Sequence, residues 1–174
     1  MTSNSIFLIA ALALSGEEAS LPTIGDLDAE AREFAKAAHL KPLAKSRNAR
    51  EVRVWQTISL ADLAYGWVVT EGEIRRYSNE RIVNGVTFGG TRLRLVETRR
   101  VPDASSILQR FDALAPLAGT SIDCHIFDGA PKLVEVKHGE TTFVLKAMNP
   151  RVCKTDRERT VDVAIGALFD TLRD

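Results

Sequence analysis

Apolar residues recur at helical spacing in three stretches of the chain. This period predicts helices over about residues 26–40, 103–115 and 155–172, each with one apolar stripe. Thr155 and Glu158 have the spacing of a capping box, in which each satisfies an exposed amide of the other, at the start of the third helix. The sequence therefore predicts three amphipathic helices.

Between residues 51 and 98 the apolar and polar positions alternate instead, which is typical of half-buried strands. Turn signals divide this region at Glu71-Gly72 and at Asn84-Gly85, where both residues tolerate the positive φ of a type I′ turn. A two-residue loop at the first turn would place Trp67 opposite Arg76. We expect an antiparallel meander here.

A further hairpin is predicted near the C-terminus, with strands 133–137 and 140–146 joined at His138-Gly139. In this register Val134 lies opposite Phe143, so that apolar groups share one face. Hairpins flanked by helices indicate an α+β domain. We expect an antiparallel meander sheet of about six to seven strands with the three helices packed on one face.

The N-terminal residues have the pattern of a secretory signal peptide. An apolar run over Ile6–Leu14 is followed by small residues at Ser15 and Gly16, although no Lys or Arg precedes the run. We expect residues 1–16 to be a signal peptide and residues 17–174 to form one domain that is periplasmic or secreted. The alternative is a cytoplasmic chain whose first element is a buried strand.

The balance of charge limits the partners of the chain. Its 23 basic and 23 acidic residues remove any global attraction to nucleic acid or to an anionic membrane. No later apolar run reaches the roughly 20 residues that span a bilayer. No motif for a cofactor is present, and we expect none. Residues 41–50 are locally basic, which predicts a solvated connection or, alternatively, a short anion-binding patch.

The two cysteines, Cys124 and Cys153, agree with export. Alternation points Cys124 from a predicted strand into the core, and Cys153 precedes the last helix. A disulfide between them would contribute about 3 kcal/mol in the chain-entropy model. The alternative is two unrelated buried thiols, which are common in cytosolic proteins.

Asp123, His125 and Asp128 form the best polar cluster. Asp123 and His125 are two positions apart on a predicted strand, so that a carboxylate beside the imidazole would orient a general base. The alternative, which we favour, is a solvent-facing pair followed by an Asp-Gly turn, with no metal bound.

Arginines are concentrated in the antiparallel region and suggest a binding face for carboxylates, phosphates or an acidic partner. The candidate binding residues are Arg75, Arg76, Arg92, Arg94 and Trp67. The alternative is an ordinary solvated sheet face, because glutamates are interleaved with the arginines.

The sequence is compatible with three functions of different classes. The first is an exported, non-catalytic binding or envelope module whose partner is a protein or an anionic small molecule, not a nucleic acid. The second is an intracellular inhibitor or interaction protein, which would keep its first residues and reduced thiols. The third is a hydrolase or metal site that uses Asp123 and His125.

We predict that export removes the segment that ends at Ala13, Ser15 or a neighbouring residue, because small residues follow the apolar run only there. Mass analysis of the protein from its native host should find the new N-terminus. A chain that begins at Met1, or at Thr2 after removal of Met1, would contradict the export hypothesis.

Overall fold

The computed structural model describes residues 24–58, 62–123, 130–148 and 155–173 of the 174-residue chain. The helices are α1 (Ile24–Ala37), α2 (Ala104–Asp112) and α3 (Asp156–Arg173). The strands are β1 (Arg50–Ile58), β2 (Leu63–Val69), β3 (Glu73–Val83), β4 (Val86–Arg100), β5 (Ser121–Asp123), β6 (Pro131–His138) and β7 (Thr141–Met148). The predicted leader lies outside these residues, as do Cys124, His125, Asp128 and Cys153.

The seven strands form one sheet in the order β4-β3-β2-β1-β6-β7-β5. Neighbouring strands are antiparallel except for β5, which runs parallel to β7. Local hairpins join β2 to β3, β3 to β4 and β6 to β7. The predicted α+β class is confirmed, with a sheet that is mixed at one edge.

Two of the predicted turns have the predicted geometry. Trp67 pairs with Arg76 across the loop at Glu71-Gly72. Asn84 and Gly85 have φ angles of 52° and 79°, as a type I′ turn requires. The register of the β6–β7 hairpin differs from the prediction, because Val134 pairs with Leu145 and not with Phe143.

The cause of this difference is the turn, which is Gly139-Glu140 and not His138-Gly139. His138 belongs to β6 and pairs with Thr141, so it is not part of the turn. Gly139 takes the first turn position, with the positive φ of 61° that this position needs. The shift moves each partner by two positions, and side chains in a strand repeat every two positions. The apolar face of the hairpin is therefore unchanged.

The helices cover both faces of the sheet, which corrects the expectation that all three pack on one face. Helices α2 and α3 lie over the face that contains Val54, whereas α1 lies over the opposite face with Trp55. A salt bridge of 2.8 Å between Glu30 of α1 and Lys146 of β7 fixes α1 there. The central strands are consequently buried on both sides, and five consecutive residues of β1 are buried.

Trp55 fills the centre of the α1 face. Its ring stacks on Phe34 of α1 at 5.5 Å between centroids, and its Nε1–H donates to Glu135 Oε1 at 2.7 Å. Gly66 pairs with Trp55 on the neighbouring strand. A Cβ atom at Gly66 would overlap the six-membered ring of the indole, so only glycine leaves space for it.

We predict that Gly66→Ala lowers the free energy of unfolding by about 1–3 kcal/mol, the usual cost of overpacking a core. Gly72→Ala is the matched control, because no atom lies within 4 Å of the Cβ it would introduce. The control should change stability by less than about 0.5 kcal/mol. Equal urea midpoints for the two variants would show that the indole does not occupy this space.

Candidate functional site, a basic pocket at one end of the sheet

Four charged side chains are buried side by side on the α1 face of the sheet. Glu51 and Arg53 of β1 and Glu135 and Lys137 of β6 are 2 %, 2 %, 6 % and 7 % exposed. Glu51 pairs with Lys137 across the two strands, and Arg53 pairs with Glu135. Each charge therefore has an opposite charge as its cross-strand neighbour, and we call the four residues the buried charge network.

This network holds the connection between α1 and β1 against the sheet. Arg53 donates to the carbonyl of Lys41 at 2.9 Å, and Lys137 Nζ donates to the carbonyl of Ser46 at 2.8 Å. Glu51 accepts from the Ser46 hydroxyl, from Asn48 Nδ2 at 2.6 Å and from Arg53 Nε at 2.7 Å. A segment with little regular structure is thus fixed at several points.

The two buried carboxyls differ in their pKa. For Glu51, burial alone would raise the pKa, but the hydrogen bonds from Ser46 and Asn48 and the adjacent Arg53 charge lower it overall. For Glu135, burial is the larger effect and raises the pKa, although the Trp55 donor and Arg53 oppose the shift. Glu51 is therefore the ionised partner of Arg53.

A shallow pocket opens where this connection meets the ends of β1 and β3, and most of its charged side chains are cations. We call it the basic pocket; its lining residues include Lys41, Lys45, Arg47, Glu51, Arg53 and Arg75. Within the described part of the chain, Lys41, Lys45 and Arg47 form no ion pair. The acid in the lining, Glu51, is already matched by Arg53.

The predicted binding residues are divided between the two faces of the sheet. Arg75 borders the basic pocket and pairs with Glu73 at 3.2 Å. Arg76, the next residue of β3, points to the other face, because side chains alternate along a strand. There it lines a cleft with Trp67, while Arg92 and Arg94 are exposed on β4.

The cleft beside Trp67 has three apolar and three charged lining residues, the charged ones being Arg76, Glu97 and Arg173. Phe169 and Leu172 of α3 also line it, and the Phe169 ring meets Trp67 edge to face at 4.9 Å. Glu97 lies 4.0 Å from Arg76, so its carboxylate offsets the guanidinium. The cleft therefore offers an anion much less net charge than the basic pocket.

The predicted Asp123 cluster is described only at its first residue. Asp123 ends β5 and pairs with Met148, whereas His125 and Asp128 lie outside the described residues. Among the residues that are described, no three His, Cys, Asp or Glu side chains are grouped to hold a metal ion. General-base chemistry at Asp123 and His125 remains a hypothesis.

The basic stretch 41–50 is evident in the sequence, but the buried charge network beneath it was not predicted. The signal was present in the charged residues at alternate positions of two predicted strands, Glu51 with Arg53 and Glu135 with Lys137. On an ordinary sheet such residues face solvent, and only the position of α1 shows that they face inward.

Comparison with known proteins adds no family to this geometry. No protein-family model matches the chain, and no curated protein matches it either. None of the described helices is both long and apolar enough to cross a membrane. The function is therefore argued from the side chains of the chain itself.

Proposed function

We propose that this protein is a non-catalytic binding module that takes a small phosphate- or carboxylate-bearing anion in the basic pocket. The observation that carries the proposal is that Lys41, Lys45 and Arg47 surround the pocket without an ion-pair partner in the described structure. A bound anion would supply the missing negative charge. This function agrees with the anionic partner expected from the sequence.

The side chains suit an anion of this kind. Arg47 presents a planar fork of donors that matches two oxygens of a phosphate or carboxylate, and the lysines add compact charges. The Ser46 hydroxyl and Asn48 Nδ2 donate to Glu51, so the three cations Lys41, Lys45 and Arg47 are the donors that we expect to contact the anion. The cations are exposed, so we expect a dissociation constant on the order of 0.1–1 mM for inorganic phosphate.

The same side chains favour binding over catalysis. Glu51, the carboxylate at the pocket, is buried and ionised, and it accepts hydrogen bonds from Ser46, Asn48 and Arg53. A general acid or base must be free to exchange a proton with the ligand, and Glu51 is not. We keep export as part of this proposal, because the apolar leader and the two cysteines support it.

We predict that Lys45→Ala combined with Arg47→Ala weakens the binding of inorganic phosphate by about tenfold or more, because two charge-assisted contacts are lost. Isothermal titration or amide NMR shifts of residues 41–48 would measure this change. Binding should also weaken as sodium chloride is added, since the attraction is between exposed charges.

Arg92→Ala combined with Arg94→Ala is the matched control, since both arginines are exposed on β4, outside the pocket lining. This control should bind phosphate as the unchanged protein does. An equal loss in the two double variants, or no loss in either, would mean that the basic pocket is not the anion site.

A further inference from the structure

The hairpin of β3 and β4 extends beyond the rest of the sheet. Strand β2 pairs with β3 only as far as Tyr65 opposite Ser78, whereas β3 and β4 continue to the pair Val83–Val86. Residues 80–89 therefore pair with each other and with no third strand of the described structure. We call these ten residues the arm.

Asn79 fixes the base of the arm. Its side-chain amide donates to the carbonyls of Asp62 at 2.9 Å and Gly90 at 2.8 Å, and its carbonyl accepts from the Ala64 amide at 2.7 Å. Asn79 itself is 8 % exposed. The arm thus projects from a defined, hydrogen-bonded base.

The tip of the arm exposes large apolar side chains on both of its faces. Ile82 is 76 % exposed, and Val83, Val86 and Phe88 are 53 %, 52 % and 51 % exposed. Pairing places Ile82 on one face and the other three on the opposite face. A two-stranded hairpin is only marginally stable in water, so an apolar tip of this kind indicates a partner that covers it.

The charge around the arm favours an anionic partner. Arg81 lies opposite Phe88, and Arg92 and Arg94 are exposed on β4 just behind the base. Glu80, whose carboxylate accepts from the Tyr65 hydroxyl, balances Arg81 within the arm, and Asp62 is exposed at its base. The excess of positive charge therefore comes from Arg92 and Arg94.

We infer that the arm docks on an anionic lipid surface, with its tip in the interfacial layer and its arginines among the headgroups. A lipid layer surrounds an inserted tip and so covers both of its apolar faces, which one flat protein surface does not. Arginine stems can pack along the acyl boundary while the guanidinium groups reach the headgroups. The chain would therefore bind to the surface without spanning it.

This docking is independent of the anion site. Arg75 beside the basic pocket and Ile82 on the arm are seven residues apart along β3, or roughly 23 Å at about 3.3 Å per residue. The two sites lie at opposite ends of the sheet. A docked arm would therefore leave the basic pocket uncovered.

The test is co-sedimentation with vesicles of phosphatidylcholine mixed with phosphatidylglycerol, compared with vesicles of phosphatidylcholine alone. We expect binding to the mixed vesicles and a loss of about tenfold or more in the double variant I82S/F88S, because two apolar side chains leave the interface. Replacing Arg81 by Gln should weaken binding several-fold and reduce its salt dependence. In a Phe88→Trp variant, brominated lipid should quench the fluorescence of the introduced tryptophan.

Val163→Ser on α3 is the matched control, because Val163 is also exposed, at 47 %, but lies far from the arm in the sequence. The control should bind vesicles normally. Failure of the unchanged protein to bind mixed vesicles would overturn the inference, and so would an equal loss in the control. Self-association without lipid that is abolished in I82S/F88S would also overturn it, since a second copy would then be the partner.

Discussion

The buried charge network on β1 and β6 is the constraint on which the rest of the structure depends. A buried charge costs several kcal/mol when it has no partner, and about 3–5 kcal/mol is lost when one partner of a buried pair is removed. Here Arg53 and Glu51 form an ion pair at 2.7 Å, and Glu135 and Lys137 are their neighbours across the two strands. A slip of one residue between the strands would turn these side chains toward the opposite, apolar face of the sheet, and the network therefore specifies the register.

The same network connects the core to the candidate site. The segment between α1 and β1 contains one short 3₁₀ turn, Leu43–Lys45, and is otherwise irregular. Its position comes from the donors and acceptors that Arg53, Glu51 and Lys137 provide at its two ends. Lys41, Lys45 and Arg47 can remain exposed and unpaired because the backbone that carries them is held from below. A fixed cationic pocket loses less entropy on binding than a flexible basic loop would.

Local chemistry in the sequence predicted the parts of the fold that depend on neighbouring residues. The Asn84-Gly85 turn requires positive φ at two adjacent positions, and few other residue pairs allow it. One half of the predicted capping box forms at the start of α3, where Glu158 accepts from the Thr155 amide at 2.8 Å, whereas the Thr155 hydroxyl donates to the same carboxylate at 2.5 Å. The buried stripe of α1, which includes Leu27 and Ala31, also follows directly from helical periodicity.

Features that depend on distant contacts were not predictable in this way. Alternation in β1 separates Val54 from Trp55, but it does not say that a helix covers the Trp55 side. A half-buried strand exposes its charged side to solvent, so alternation alone does not predict a buried network, and the predicted binding residues lie on β2, β3 and β4 instead. The sequence marked residues 41–50 as basic, yet only the packing of the connection against the network makes a pocket of them.

Hydrogen exchange of the connection tests most directly whether the network holds it. The amides of Lys45 and Ser46 donate to the carbonyls of Pro42 and Leu43 at 2.9 Å each. In Glu51→Gln, which removes the charge that pairs with Arg53, these two amides should exchange about tenfold faster or more. Gly66→Ala serves as the comparison, because it destabilises the core elsewhere and should accelerate them much less. Equal exchange of these amides in the two variants would contradict the account.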